Sequence, residues 1–234
     1  MLIGIIGAME LEVQALKELM EDSGIERISG IDFFKGAVNG VDTVVAAAGV
    51  GKVNAAVCAQ AMILKYSPSL IINVGVAGGL CDTFKIGDIA VADYVVEHDM
   101  DTTPIGDEKG FISGINMVKM PCDRVIADMM VSAVNKVGKI KAQRGIIASG
   151  DQFISTQAQR DAIIRDFGAI AAEMEGASIG HVCVMNNTPF GVLRAISDGA
   201  NDDSPMDYPE FAKMAAANSV KIILELLESI KGVY

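Results

Sequence analysis

A chain of 234 residues, 51% apolar and only 21% charged, is long enough for one substantial core and apolar enough to leave surface for a partner. Its net charge of -11 argues against nucleic acid or an anionic membrane as partners, because both are bound by Lys and Arg neutralising phosphates. One domain over residues 1–234, forming an oligomer, is the expectation.

The chain opens on an apolar run, residues 2–6, suited to a buried strand and closed by Gly7. No basic leader precedes Glu10 and Glu12, and no run approaches the ~20 apolar residues that span a bilayer, so a cytoplasmic protein is expected. A helix is predicted over 9–21, with Glu10, Gln14, Lys17, Glu18 and Glu21 on its polar face. Glu12 falls outside that face, since its neighbours at three and four residues, Ala8, Met9, Ala15 and Leu16, are all apolar. A carboxylate turned toward a core costs free energy unless it is partnered or working, although the helix dipole also favours a first-turn Glu.

Residues 33–38 and 41–48 flank Asn39-Gly40, a pair that favours a hairpin turn. Gly49-Val50-Gly51-Lys52 follows, ahead of a helix over 53–66, with neither the spacing nor the hydroxyl of a phosphate loop. Its glycines instead let the backbone approach a ligand or another strand closely. A third core run, 70–76, leaves through Ala77-Gly78-Gly79, and a strand over 89–94 leads into an irregular stretch, 97–120, read as a functional or interface loop. A helix over 123–137 and a strand over 141–149 precede Asp151-Gln152-Phe153-Ile154, where Phe153 is either a core plug or a ring that stacks on a flat ligand.

A helix over 156–167 then leads to the apolar run that ends in Glu173-Met174-Glu175, where Gly176 breaks the pattern and a helix begins. Residues 193–198 form another strand, ending on Asp198. The 201–205 loop carries Tyr208 into a long Ala-rich helix ending near residue 230 and is placed to close over a site.

This order implies a mixed, mostly parallel central sheet wrapped by helices. Met9, Glu12, Val50, Val76, Phe153, Glu175 and Asp198 all follow strands, where open α/β sheets bind ligands, so one shared rim is expected. A first-turn Glu and an Asp after a strand also have ordinary structural explanations, so position alone assigns chemistry to neither. Cys58, Cys81, Cys122 and Cys183 are widely spaced and read as reduced thiols. His98 and His181 have no second His or Cys at ligand spacing, and no metal or cofactor is expected.

Six motifs in order, GIIGAME at 4–10, GVGK at 49–52, NVGVAGG at 73–79, SGDQFI at 149–154, EMEG at 173–176 and RAISD at 194–198, resemble the 5'-methylthioadenosine/S-adenosylhomocysteine nucleosidases of the purine nucleoside and uridine phosphorylase superfamily. The resemblance implies a single α/β domain whose sheet forms a distorted barrel, working as a homodimer. It implies that Asp198 protonates the purine at N7, that Glu12 activates water, and that Glu175 holds the ribose hydroxyls with Met174 against the sugar. It further implies Phe153 stacked on adenine, Ile154 reading the adenine edge through its backbone, and Met9, Val50 and Tyr208 lining the sugar and alkylthio pocket. Gly78 matches a backbone contact, and Ser197 and Arg194 match supports of the Asp198 segment. Val76 stands where members often carry Ser or Thr, and residues 102–111 depart from the pattern in the part that reaches across the dimer. Both departures bear on the size of the 5' pocket.

The chemistry agrees with these assignments, because N-glycosidic cleavage needs a proton for the leaving base and a carboxylate for water on the opposite face. Phosphorolysis is the nearest alternative and requires cations for its nucleophile, yet the segments after the first strand and around the third contain no arginine. A nucleoside-binding or storage protein on the same fold is a second alternative, one that needs neither Glu12 nor Asp198.

Overall fold

The structure, a computed structural model, describes residues 1–138, 140–201 and 204–231, the side chains of 204–207 excepted. Strands β1 (Ile3–Gly7), β5 (Leu70–Gly79) and β10 (Phe190–Asp198) are buried along almost their whole length, as their near-continuous apolar runs require. With β6 (Ile89–Glu97), β8 (Ala142–Ser149) and β9 (Ala169–Glu173), β5 and β10 close a five-stranded barrel in the order β10, β6, β8, β9, β5 and back to β10. From β5 the sheet continues outward through β1, β4 (Val41–Ala47), β3 (Ile31–Val38) and β2 (Glu21–Ile28). The short β7 (Met120–Pro121) pairs with β6. Parallel and antiparallel pairings both occur, so the mixed sheet and the distorted barrel are both present.

Helices α1 (Glu10–Glu18), α3 (Arg124–Val137) and α6 (Ser204–Lys231) cover one side through Val13, Leu16, Met130, Val134, Ile223 and Leu227. Helices α2 (Lys52–Tyr66) and α5 (Gly176–Met185) cover the other through Ala55, Cys58, Met62, Ile179 and Cys183. Helix α4 (Gln157–Phe167) sets Ile163 and Phe167 on Ala148, Ile154 and Ala169. These layers leave the carboxyl ends of the barrel strands open, and that opening is where the site is built.

Three stretches differ from the sequence reading. Helix α1 stops at Glu18, because Met20 is buried and Glu21 already pairs with β3, where the helical pattern had run on to 21. Strand β6 reaches Glu97, three residues past the expected end. The helix that carries Tyr208 begins at Ser204, inside the stretch read as a loop. Pro205, read as loop punctuation, falls in the first turn of that helix, where no backbone donor is needed. Of the loop expected to close over the site, Asp202 and Asp203 lie outside the described residues.

Candidate active site

One cavity of about 80 Å³ lies at the carboxyl ends of the strands. Met9 reaches it from the turn after β1, Glu12 from the first turn of α1, Val50 from the turn after β4, and Val76 and Gly78 from β5. Phe153 and Ile154 come from the loop after β8, Met174 and Glu175 from the β9–α5 junction, Ser197 and Asp198 from β10, and Tyr208 from α6. Gln152 and Glu173, to which the sequence reading gave no role, line it as well. Both stood beside residues that were singled out, and Glu173 is a carboxylate only two positions before Glu175.

Glu12 is 2% exposed, and its carboxylate accepts three backbone N–H bonds. Oε2 takes Ala8 and Met9 at 2.7 and 2.8 Å, and Oε1 takes Val76 at 3.1 Å. The Met9 bond is the backward reach of a capping glutamate, a purely local role. The Val76 bond comes from β5 and turns the same group toward the cavity. Burial raises the pKa of Glu12, and the backbone donors and the Arg194 charge only partly offset it. A carboxylate so placed is a stronger base than one in water. Gly75 makes room for it, since a Cβ there would stand 2.7 Å from Oε1.

Asp198 is 3% exposed. Its Oδ1 accepts from the Ala200 N–H at 2.8 Å and its Oδ2 from Ser197 Oγ at 2.9 Å. The β10 register against β5 shifts between Ile196 and Asp198, an irregularity that re-aims the strand end and sets Asp198 opposite Gly78. A Cβ at Gly78 would lie 3.0 Å from Oδ1, so the missing side chain is what seats the acid.

Glu175 accepts the Gly51 N–H at 2.9 Å and lies 4.0 Å from the Arg194 guanidinium. Burial first, and the neighbouring Glu173 carboxylate second, push its pKa up to about 7. An unfolded carboxyl releases its proton near 4.5, so between pH 4.5 and about 7 the folded chain holds the extra proton and loses stability as the pH rises. The melting temperature of the unliganded protein is expected to fall across that window relative to Glu175→Gln and to run parallel to it above. Equal slopes in a differential-scanning series would refute the assignment.

Arg194 was grouped with the substrate-binding residues, and the structure corrects that grouping. It does not line the cavity and does not touch Asp198. Its fully buried guanidinium donates to Glu173, Asn73 and the Leu193 carbonyl, and Glu173 in turn takes Ser149 Oγ and the N–H groups of Glu175 and Gly176. Arg194 therefore braces the junction that carries Met174 and Glu175. Removing one partner of such a pair leaves a buried charge alone, and Arg194→Met is expected to lose about 3–5 kcal/mol in urea unfolding. A loss below 1 kcal/mol would show that the ion pair does not hold the junction.

The Phe153 ring meets Tyr208 edge-on, with centroids 5.5 Å apart, and is 45% exposed, so it is no core plug. Tyr208 Oη donates to Met9 Sδ at 3.3 Å. The three apolar groups wall one end of the cavity while Glu12, Glu173, Glu175 and Asp198 supply its acids. Among the described residues no group of three His, Cys, Asp or Glu is placed to hold a metal ion.

A family model described as Phosphorylase superfamily matches residues 2–228. The 5'-methylthioadenosine/S-adenosylhomocysteine nucleosidase of Shewanella sp. (strain W3-18-1) is 41% identical over 99% of this chain and all of its own length. The chain belongs to the nucleosidase family of this superfamily. A nucleosidase from Neisseria meningitidis, solved with methylthio-immucillin-A, superposes with a TM-score of 0.94 at 33% identity, covering 97% of this chain and 99% of that one. A futalosine hydrolase of Helicobacter pylori strain 26695 superposes at 0.93 with 32% identity, covering 97% of each chain. Membership of the nucleosidase family makes the protein an enzyme that hydrolyses N-glycosidic bonds, and its barrel and outer strands are the fold of that family.

Proposed function

We propose that the protein hydrolyses 5'-methylthioadenosine and S-adenosylhomocysteine, releasing adenine and a 5-thio-substituted ribose. The observation that carries this reading is that Glu12 and Asp198, brought from opposite ends of the chain, open on one cavity. As the bond from C1' to the purine breaks, its electron pair passes to the base and Asp198 gives a proton to N7. Water bonds to C1' from the other side and gives its proton to Glu12. Glu175 holds the ribose hydroxyls with Met174 against the sugar, Phe153 stacks on adenine, and the Ile154 backbone reads its edge. Met9, Val50, Val76 and Tyr208 receive the 5' substituent.

Water is the nucleophile on electrostatic grounds. Among the described residues lining the cavity there is no Lys, Arg or His to hold a phosphate nucleophile, and the Glu12 carboxylate would repel one. The reaction belongs to methionine salvage and the recycling of S-adenosylmethionine by-products. The protein works in the cytoplasm, a placement supported by four free cysteines, and among the described residues no helix is long and apolar enough to cross a membrane. It works as a homodimer, supported by the solvent-facing Val53, Val57 and Leu64 of α2 beside Met185 of α5.

The test is adenine release from methylthioadenosine with and without phosphate. Equal rates are expected. Strict phosphate dependence would make the enzyme a phosphorylase, and binding without turnover would make the protein a nucleoside binder. A competition panel of methylthioadenosine, S-adenosylhomocysteine, 5'-deoxyadenosine and aminofutalosine then ranks the substrates.

A further inference from the structure

Outside the cavity, three residues close a ring of hydrogen bonds. Asp151 Oδ1 accepts the Lys52 N–H at 2.8 Å, Lys52 Nζ donates to Asp99 Oδ1 at 2.7 Å, and Asp99 Oδ2 accepts the Asp151 N–H at 2.9 Å. The ring ties three segments that are distant in sequence: the start of α2, the stretch after β6 and the loop after β8. Lys52 is pinned further, its Nζ donating to Glu97 at 3.0 Å and its carbonyl accepting from Ser178 Oγ at 2.7 Å. None of the three ring members lines the cavity.

On one side of the ring the adjoining residue is Gly51, whose N–H holds Glu175. Gly51 has φ +98, and a Cβ there would stand 2.9 Å from Asp151 Oδ1, so the turn and the ring are fitted to each other. On the other side Phe153 and Ile154 follow Asp151 by two and three residues. We propose that Asp99, with Lys52 and Asp151, is a positioning residue that sets the distance between the purine-binding loop and the ribose-holding carboxylate. A ligand with both halves then meets both sites without reorganising the protein, while a free base uses only one. This inference rests on the ribose and purine roles proposed above.

The experiment measures dissociation constants by calorimetry for adenine and for the 7-deaza analogue of methylthioadenosine. That analogue has no N7 to protonate and is bound without being cleaved. Both Asp99 oxygens accept bonds, so Asp99→Asn turns an amide donor toward another donor and opens the ring. Asp151 is exposed, so Asp151→Ala opens the ring without excavating a core, whereas Asp151→Asn keeps an acceptor for the Lys52 N–H. Asp99→Asn and Asp151→Ala are expected to weaken the analogue at least about tenfold and adenine by less than about threefold, with Asp151→Asn close to the parent for both. Unchanged analogue affinity in the two ring-opened variants, or adenine weakened in the same proportion, would overturn the proposal. Adenine release by the parent protein is scored separately, so a failure of the nucleosidase reading is told apart from a failure of the ring.

Discussion

Asp198→Asn is expected to keep the fold and to slow adenine release from methylthioadenosine by at least about 100-fold, with about 10,000-fold as the upper range. The fold survives because the new amide can satisfy the same surroundings. Its oxygen keeps the Ala200 N–H, and its NH2 group faces Ser197 Oγ, which can accept while turning its own hydrogen to the Ala77 carbonyl 3.4 Å away. Only the transferable proton is lost. A purine expelled without that proton leaves as an anion, which is the cost the acid removes. The defect should therefore shrink toward parity on a 5-methylthioriboside carrying nitrophenolate, a group that departs without protonation. Near-normal turnover of methylthioadenosine by the variant would rule out the role of Asp198, and an equal defect on both substrates would point to misplacement of the sugar.

Glu12→Gln should cost a comparable factor, at least about 100-fold, with a different signature. Both carboxylate oxygens receive backbone N–H bonds, so an amide must set its NH2 against Val76 on one side or against Ala8 and Met9 on the other. The variant loses the base and part of its seat together. Because the missing step concerns water and not the leaving group, the defect should persist on the nitrophenyl riboside. The parent's rate should climb with pH on the acidic limb as Glu12, raised by burial, gives up its proton, and the variant should lack that limb. A variant within tenfold of the parent, with its acidic limb intact, would move the base elsewhere.

The site was more legible in the sequence than the frame around it. Glu12 stood out because helical spacing set it among apolar neighbours, and Glu175 and Asp198 because strand runs ended on them. Strand β2 did not stand out, because seven of its eight residues are exposed and nothing in its pattern alternates. It is held by backbone pairing to β3 across a turn in which Ser29 and Gly30 both take positive φ. The partners of Arg194 were hidden for a related reason. Its partners Glu173 and Asn73 lie 21 and 121 positions away, and only the barrel brings them together. Closure of β5 on β10 is likewise a long-range pairing: the family resemblance implied a barrel, and no local pattern named the strands that close it.

Strand β10 is buried on both faces from Phe190 to Asp198, so a one-residue slide along β5 would turn every side chain to the opposite packed layer. To that packing the chain adds a polar mark of the working alignment: one guanidinium fastened to Glu173 and Asn73, four positions before the acid. Arg194 thus acts as an index pin for the strand, and a warmed sample whose pin slips can fall catalytically silent while its barrel still stands.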